Sequence, residues 1–419
     1  MISTIYSVCS LLIGMGILLA GSGLLGTLLG LRASAEMFSE LTIGLVMSAF
    51  FMGYIVGSYF CPKLIRRVGH IRTFTALAAM AAVVALLHGM WVNPWFWGLL
   101  RLINGICILG LYMVIESWLN DQVHHKRGEL FAVYMMVSLA ALGVGQFLMV
   151  IYGPEGMGSF AMVALLFCLG LIPLALTRVH QPALITSVNV PVKELLEISP
   201  VGAVGSFASG MVTGAFWGLS AVYAVNIGLT NSGVAAFVAA AIFGGAILQW
   251  PIGHLSDRFD RRQVLLWAAL GSALVAAFIF MIGSESLTLL ILLTVPYGGL
   301  SFSLYALSVA HTHDRMHAAD NAMGVTRGLL LLNGIGATIG PLLLGIGMSL
   351  TDAVTFPLIL ALLLVGLAIF TWRRIALDPA VPTEERGEFV LLTRTSPTAI
   401  EMDPRTDVEL ELDLEQKGH

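Results

Sequence analysis

The segment GHLSDRFDRR, residues 253–262, is a polar break between two apolar stretches, residues 232–252 and 264–283. A second such break, KLIRRVGHIR, residues 63–72, separates the apolar stretches 41–62 and 73–92. Working outward from these two, the chain divides into twelve apolar stretches in two sets of six, with a basic cluster after the second member of each set. The remaining stretches are 8–30, 95–119, 130–151, 159–177, 201–226, 287–311, 321–349 and 353–372. About 20 apolar residues are needed for a helix to cross the roughly 30 Å hydrocarbon core, whereas barrel strands are half as long and alternate. The pattern predicts an all-α membrane protein, with twelve transmembrane helices in two pseudo-symmetric six-helix bundles.

Composition agrees. A chain of 419 residues that is 58% hydrophobic and 11% charged, with mean hydropathy +0.90, has too little polar surface to cover a soluble globule. The division expected is an N-terminal bundle over residues 1–177, a cytoplasmic linker over 178–200, a C-terminal bundle over 201–377 and a tail over 378–419. A short amphipathic helix is expected in the linker around Val192 to Ile198. The tail carries eleven of the acidic residues together with Pro379, Pro382, Pro397 and Pro404, a composition that predicts disorder.

Lys and Arg set the orientation. With both termini in the cytoplasm, the Lys63–Arg72 loop, Lys126, Arg127, Arg178, Lys193, Arg258 to Arg262, Arg315, Arg373, Arg374 and the tail cations all fall inside, and Arg32 alone falls outside. No Lys or Arg precedes the first stretch, which is longer than a secretory h-region, so an uncleaved helix is expected there.

The halves also match in detail. Leu111-Tyr112 and Asp121 correspond to Leu304-Tyr305 and Asp314 at one constant offset, and Gly145-Gln146 matches Gly340-Pro341 after a two-residue insertion. Parallel repeats of this kind place a substrate path at their interface near the midplane.

Charges inside the spans are costly unless paired or wetted, and so mark function. Arg101, Asn104, Tyr112 and Glu116 share one face of the fourth span, and Arg327 lies in the eleventh at a depth similar to Glu116. Arg101 suits an anionic group or a proton-linked network. Glu116 either carries a coupling proton or forms a structural or gating pair with Arg327. In the second half, Ser206, Ser209, Thr213, Trp217 and Ser220 share a face of the seventh span, and Tyr297, Ser301, Tyr305, Ser308 and His311 share a face of the tenth. Small hydroxyls also serve helix packing, whereas Trp217, Tyr297 and Tyr305 suit an amphipathic organic solute.

Other chemistry finds little support. Cys9, Cys61, Cys107 and Cys168 form no CxxC pair, and His124-His125 and His311, His313 and His317 sit at helix ends without a completing ligand set, so neither a metal nor another cofactor is expected. Walker, nucleophile-triad and dinucleotide motifs are absent from the sequence, which argues against an enzyme or an ATP-driven pump. Nothing points to nucleic acid; the expected partners are a small solute, a proton and the lipid bilayer.

Residues 253–262 resemble the loop signature G-x-L-a-D-r-x-G-r-[RK] of the major facilitator superfamily, and Arg101 to Gly105 resembles its fourth-helix motif. Ile115-Glu116-Ser117, residues 132–137, residues 249–253 and the run from Gly336 to Pro341 are similar to the bacterial YcaD-like subfamily. The resemblance implies a monomeric secondary transporter in the bacterial cytoplasmic membrane, working by alternating access, with the first, fourth, seventh and tenth helices lining its cavity. It also implies a gating loop made of Gly253, Asp257, Arg258, Arg261 and Arg262. Physically, Gly253 permits close helix approach, Asp257 caps or pairs with a neighbouring helix end, and the arginines meet lipid headgroups or acids of the facing half. Two departures stand out: Asp260 replaces the signature's second glycine, and the first-half loop, aligned from Gly57 to Arg72, has Cys61 where the signature carries Asp. Gln146 stands where antiporters of the superfamily carry a Gly-Pro step. Arg101, Asn104, Tyr112, Glu116, Gln146, Thr213, Trp217, Tyr297, Tyr305 and Arg327 are the candidates for substrate binding or coupling. Efflux of an amphipathic solute is slightly favoured over uptake; a receptor or scaffold signalling through the tail is the other class.

Overall fold

The computed structural model describes residues 2–122, 127–176, 190–316, 321–382, 386–387, 389 and 395–396. Within them, twelve helices are long and apolar enough to span a membrane. The first six are α1 (Ile2–Ala35), α2 (Glu40–Val68), α3 (His70–Met90), α4 (Pro94–Gln122), α5 (Arg127–Tyr152) and α6 (Met157–Leu176). A short α7 (Val192–Ile198) precedes α8 (Pro200–Asn226), α9 (Asn231–Arg258), α10 (Arg261–Ile282), α11 (Leu287–His313), α12 (Ala322–Leu350) and α13 (Phe356–Leu377). Helices are forced on these segments because lipid offers no partner for a free backbone N–H or C=O. Their starts are set by side-chain caps: Ser39 accepts from the Thr42 amide, Ser199 from Gly202, Thr230 from Gly233, Ser286 from Leu289 and Asn321 from Gly324.

The helices that precede the two basic loops outrun their apolar stretches. α2 continues through Lys63, Arg66 and Arg67 to Val68, and α9 continues through Ser256 and Asp257 to Arg258. Long basic stems keep the helix intact past the hydrocarbon edge by lying along it with their charges in water. Gly69, at φ 86°, ends α2 in a conformation that a side chain rarely adopts.

These helix ends correct the register of the first-half loop. Cys61 lies inside α2, wholly buried, with its Sγ donating to the Ile106 carbonyl of α4 at 3.6 Å. Four residues before the following helix begins stand Arg66 in the first half and Asp257 in the second. Arg66, not Cys61, therefore holds the place of the signature's acid. Apolar length alone places the loop too near the N-terminus, because α2 runs on past the end of its apolar stretch.

The duplication is visible in the packing. α1 packs on α5 and α6, α2 on α4, and α3 on α4 and α6; α8 packs on α12 and α13, α9 on α11, and α10 on α11 and α13. The halves meet chiefly through α2 with α12, α5 with α9, and α1 with α8. Those contacts draw tight at the end away from the basic loops. There a Cβ on Gly44 would collide with the Pro341 carbonyl, one on Gly345 would lie 2.7 Å from the Glu40 carbonyl, and one on Gly30 would sit 3.2 Å from the Ala221 side chain. At the end that carries the basic loops the halves stand apart around a cavity.

Candidate functional site

The cavity measures about 520 Å³, a size that suits a small organic molecule. Its deep end is built on Arg101 of α4, only 5% exposed. The guanidinium carbon stands 4.3 Å from the centroid of the Phe50 ring, and its nitrogens reach Asn104 Oδ1 at 3.5 Å and Met47 Sδ at 3.6 Å. Arg101 Nε and Asn104 Nδ2 are buried without a hydrogen-bond partner. None of the ion pairs among the described residues involves Arg101. A cation held against one aromatic face, with donors to spare, is poised to receive an acceptor from outside the protein.

Aromatic rings form part of the wall. Phe50 and Tyr54 lie 5.1 Å apart on α2, and Trp217 of α8 stacks on Phe302 of α11 at 6.3 Å with 14° between the planes. Tyr112 and Thr213 join the wall, Thr213 bonding back to the Ser209 carbonyl at 2.7 Å, and Asn333 of α12 donates to the Ser206 carbonyl at 3.0 Å. Toward the basic end the lining turns to Lys63, Arg66 and Arg327.

Glu116 is wholly buried beside this path. Three hydroxyls converge on its carboxylate: Tyr134 of α5, Thr395 and Ser396 all donate to it. Thr395 itself lines the cavity, so a piece of the C-terminal tail lies between Glu116 and the open space.

The structure thus brings Arg101, Tyr112, Thr213, Trp217 and Arg327 to one cavity, with Asn104 beneath Arg101 and Glu116 behind Thr395. It does not bring the others there. Gln146 is buried where α1 meets α5, accepting from the Thr27 hydroxyl and donating to the Leu142 carbonyl at 3.0 Å. Tyr297, 2% exposed, packs on Phe216 with ring centroids 5.8 Å apart. Tyr305, 1% exposed, lies in an apolar cluster with Leu195, Val325 and Leu329. The polar face of α11 is therefore turned toward packing, with Phe302 as its residue on the wall. Helices α2, α5 and α12 contribute wall residues that the four-helix expectation left out. On α2 a signal was present, since Phe51, Ile55, Ser58, Pro62 and Arg66 recur at helical spacing and all line the cavity.

At the basic end, Arg261 is 2% exposed and ties together three elements. It pairs with Asp314 at 2.5 Å and Asp257 at 3.4 Å, reaches Ser256 Oγ at 3.4 Å, and donates to the Gly387 carbonyl. Arg262 pairs with Asp260 at 2.7 Å and donates to the Asp378 carbonyl at 2.9 Å, while Arg258 is exposed. These acids belong to the same half as the arginines, not to the facing half. Burial pushes the Asp314 carboxyl above its ordinary range, opposed by the charge and hydrogen bond of Arg261. Burial acts the same way on Asp260, but the hydrogen bonds and charge of Arg262 outweigh it and hold that carboxyl low.

His313 bonds to the Thr326 hydroxyl at 2.7 Å, and no metal-holding group of His, Cys, Asp and Glu is found among the described residues. His124, His125 and His317 lie outside them, as do the linker from 178 to 189 and most of the tail, on which the expectation of disorder falls.

The family model of the Major Facilitator Superfamily matches residues 11–330 and 202–402. The chain belongs to the major facilitator superfamily. It is 28% identical over 337 residues to the uncharacterized MFS-type transporter YcaD of Escherichia fergusonii, covering 79% of this chain and 86% of that one. The YcaD of Salmonella arizonae is likewise 28% identical, over 342 residues. Among solved structures, the nucleoside transporter NupG superposes with TM-score 0.73 at 14% identity, covering 88% of this chain and 98% of its own. A bacterial homologue of the human lysosomal transporter Spinster, inward-facing and occupied, superposes with TM-score 0.70 at 16% identity over 91% of this chain and 98% of its own. This superfamily member is a multi-pass secondary transporter and not an enzyme.

Proposed function

We propose that this transporter moves a small amphipathic organic solute with an anionic or strongly accepting group, loading it from the cytoplasm for export by alternating access. The observation that carries the proposal is Arg101: a buried guanidinium whose Nε has no hydrogen-bond partner and which forms no ion pair among the described residues, at the deep end of a cavity with several aromatic walls. An unpaired buried charge is costly, and a solute anion relieves that cost while its apolar body covers Trp217, Phe302 and Tyr54. The positive-inside rule assigns the basic end, and with it both termini, to the cytoplasm. The cavity opens toward that end.

The test is flux in proteoliposomes, with solutes first chosen by thermal-shift screening of the purified protein against a panel of organic anions, cations and neutral amphiphiles. Anionic amphiphiles are expected to stabilise the protein and to cross, and Arg101→Gln to lose both effects. Stabilisation confined to cations or neutral compounds overturns the substrate class. Uptake is the outcome if flux runs only from the opposite face.

A further inference from the structure

The tail residues that the structure describes do not lie apart from the bundle. The Phe389 amide donates to Asp257 at 2.9 Å, the Gly387 amide donates to Asp314 at 3.3 Å, and Arg261 donates to the Gly387 carbonyl. Arg386 donates to the Phe259 carbonyl at 2.9 Å. The Phe389 ring lies on Gly253, where a Cβ would overlap it. Thr395 and the fully buried Ser396 then reach across to Glu116 in the other half.

We infer that the mouth of the cavity is a docking site for this chain's own C-terminal tail, which straps the two halves together in the open-mouthed state and covers Glu116. The signature-loop residues are the socket. Gly253 makes room for Phe389, the two carboxylates accept tail amides, and Arg261 receives the intervening carbonyl. Such backbone recognition by fixed charges is stronger than between neutral groups. The first half supplies the other anchor, where a carboxylate buried away from water takes two of its hydrogen bonds from the tail. Bringing the halves together at this end requires the space that Thr395 and Ser396 fill, so the tail must leave before the cavity turns to the other side. The strap rests on the transport reading only for this last consequence.

Two measurements on the full chain test it without any substrate. With the four native cysteines replaced by serine, Gly253→Cys with Phe389→Cys places two thiols within reach of a disulfide. Mild oxidation is expected to link this pair, and not Phe389→Cys with Arg67→Cys at the exposed basic end of α2 in the other half. Equal linking of both pairs overturns the docking. Independently, modification of Glu116 by a water-soluble carbodiimide, followed by peptide mass spectrometry, is expected to be roughly tenfold faster in Phe389→Asp or in Thr395→Ala with Ser396→Ala, the worth of about two lost hydrogen bonds. An unchanged rate overturns the strap, whatever the flux assays give, and failure of flux with the strap intact counts against the transport reading alone.

Discussion

At the residue scale, Arg101 carries the functional reading because its surroundings are so specific. The guanidinium carbon sits 4.3 Å from the centroid of the Phe50 ring, and its Nε is buried without a hydrogen-bond partner among the described residues. A lysine keeps the charge but neither the planar stacking nor the forked donors. Arg101→Lys is therefore expected to weaken binding of an anionic solute by about tenfold and Arg101→Gln by about a hundredfold, the range of one to two charge-assisted hydrogen bonds, measured by titration of a stabilising ligand. Equal affinities for all three proteins exclude Arg101 from the site. Asp260 offers a second prediction outside the membrane. Arg262 holds its carboxyl below the ordinary value, so its stabilising contribution is present above that value and lost as pH falls through the lower folded one. Asp314 behaves oppositely: its raised carboxyl binds protons more readily in the folded state, and its contribution declines as pH rises through the folded value. In melting curves taken from acid to neutral pH, Asp260→Asn should flatten the acid-side loss of stability. A profile parallel to that of the unaltered protein would show that the Arg262 contact contributes nothing.

At the scale of the element, the crossing of α2 and α12 decides which end is shut. A Cβ on Gly44 would collide with the Pro341 carbonyl, and Gly345 is similarly tight against Glu40. Overpacking such a contact costs about 1–3 kcal/mol, and here the cost falls on the closed end, away from the basic loops, alone. Gly44→Val should therefore shift the population toward the state open at that end by roughly tenfold, seen as faster thiol labelling from that side of a cysteine placed at Ser22 on the cavity wall. Unaltered labelling would mean that α2 and α12 slide without parting. What the sequence made legible follows the same line. The twelve spans, the repeat and the polar stripe of α4 could be read because lipid exposure and helical period leave direct marks in the chain. The facing of α11 could not: Tyr297 and Tyr305 share a stripe, but a stripe does not say whether a cavity or a neighbouring helix lies opposite. Cys61 falls at the signature's acid by apolar length and not by structure for a related reason. Apolar length marks where the membrane ends, and α2 continues past it. The tail contacts left no periodic trace, because they are made by backbone amides, one ring and two hydroxyls that mean nothing until the socket is folded.

Over the whole molecule, the first half and the tail share a single carboxylate. Glu116 accepts from Tyr134 within its own half and from Thr395 and Ser396 of the tail. It cannot hold those hydroxyls and also exchange a proton with the cavity during a transport cycle. If Glu116 couples proton movement to solute movement, the coupling acts only in molecules whose tail has left. Flux measured across mildly acidic to mildly alkaline buffers should then depend more steeply on pH in Phe389→Asp than in the unaltered chain, because more molecules have the carboxylate available. Adding Glu116→Gln to Phe389→Asp should remove that dependence while leaving a pH-independent flux. A steep profile that survives Glu116→Gln moves the coupling to another group. A profile equally flat in all three proteins leaves Glu116 as an anchor for the strap and takes it out of the transport cycle.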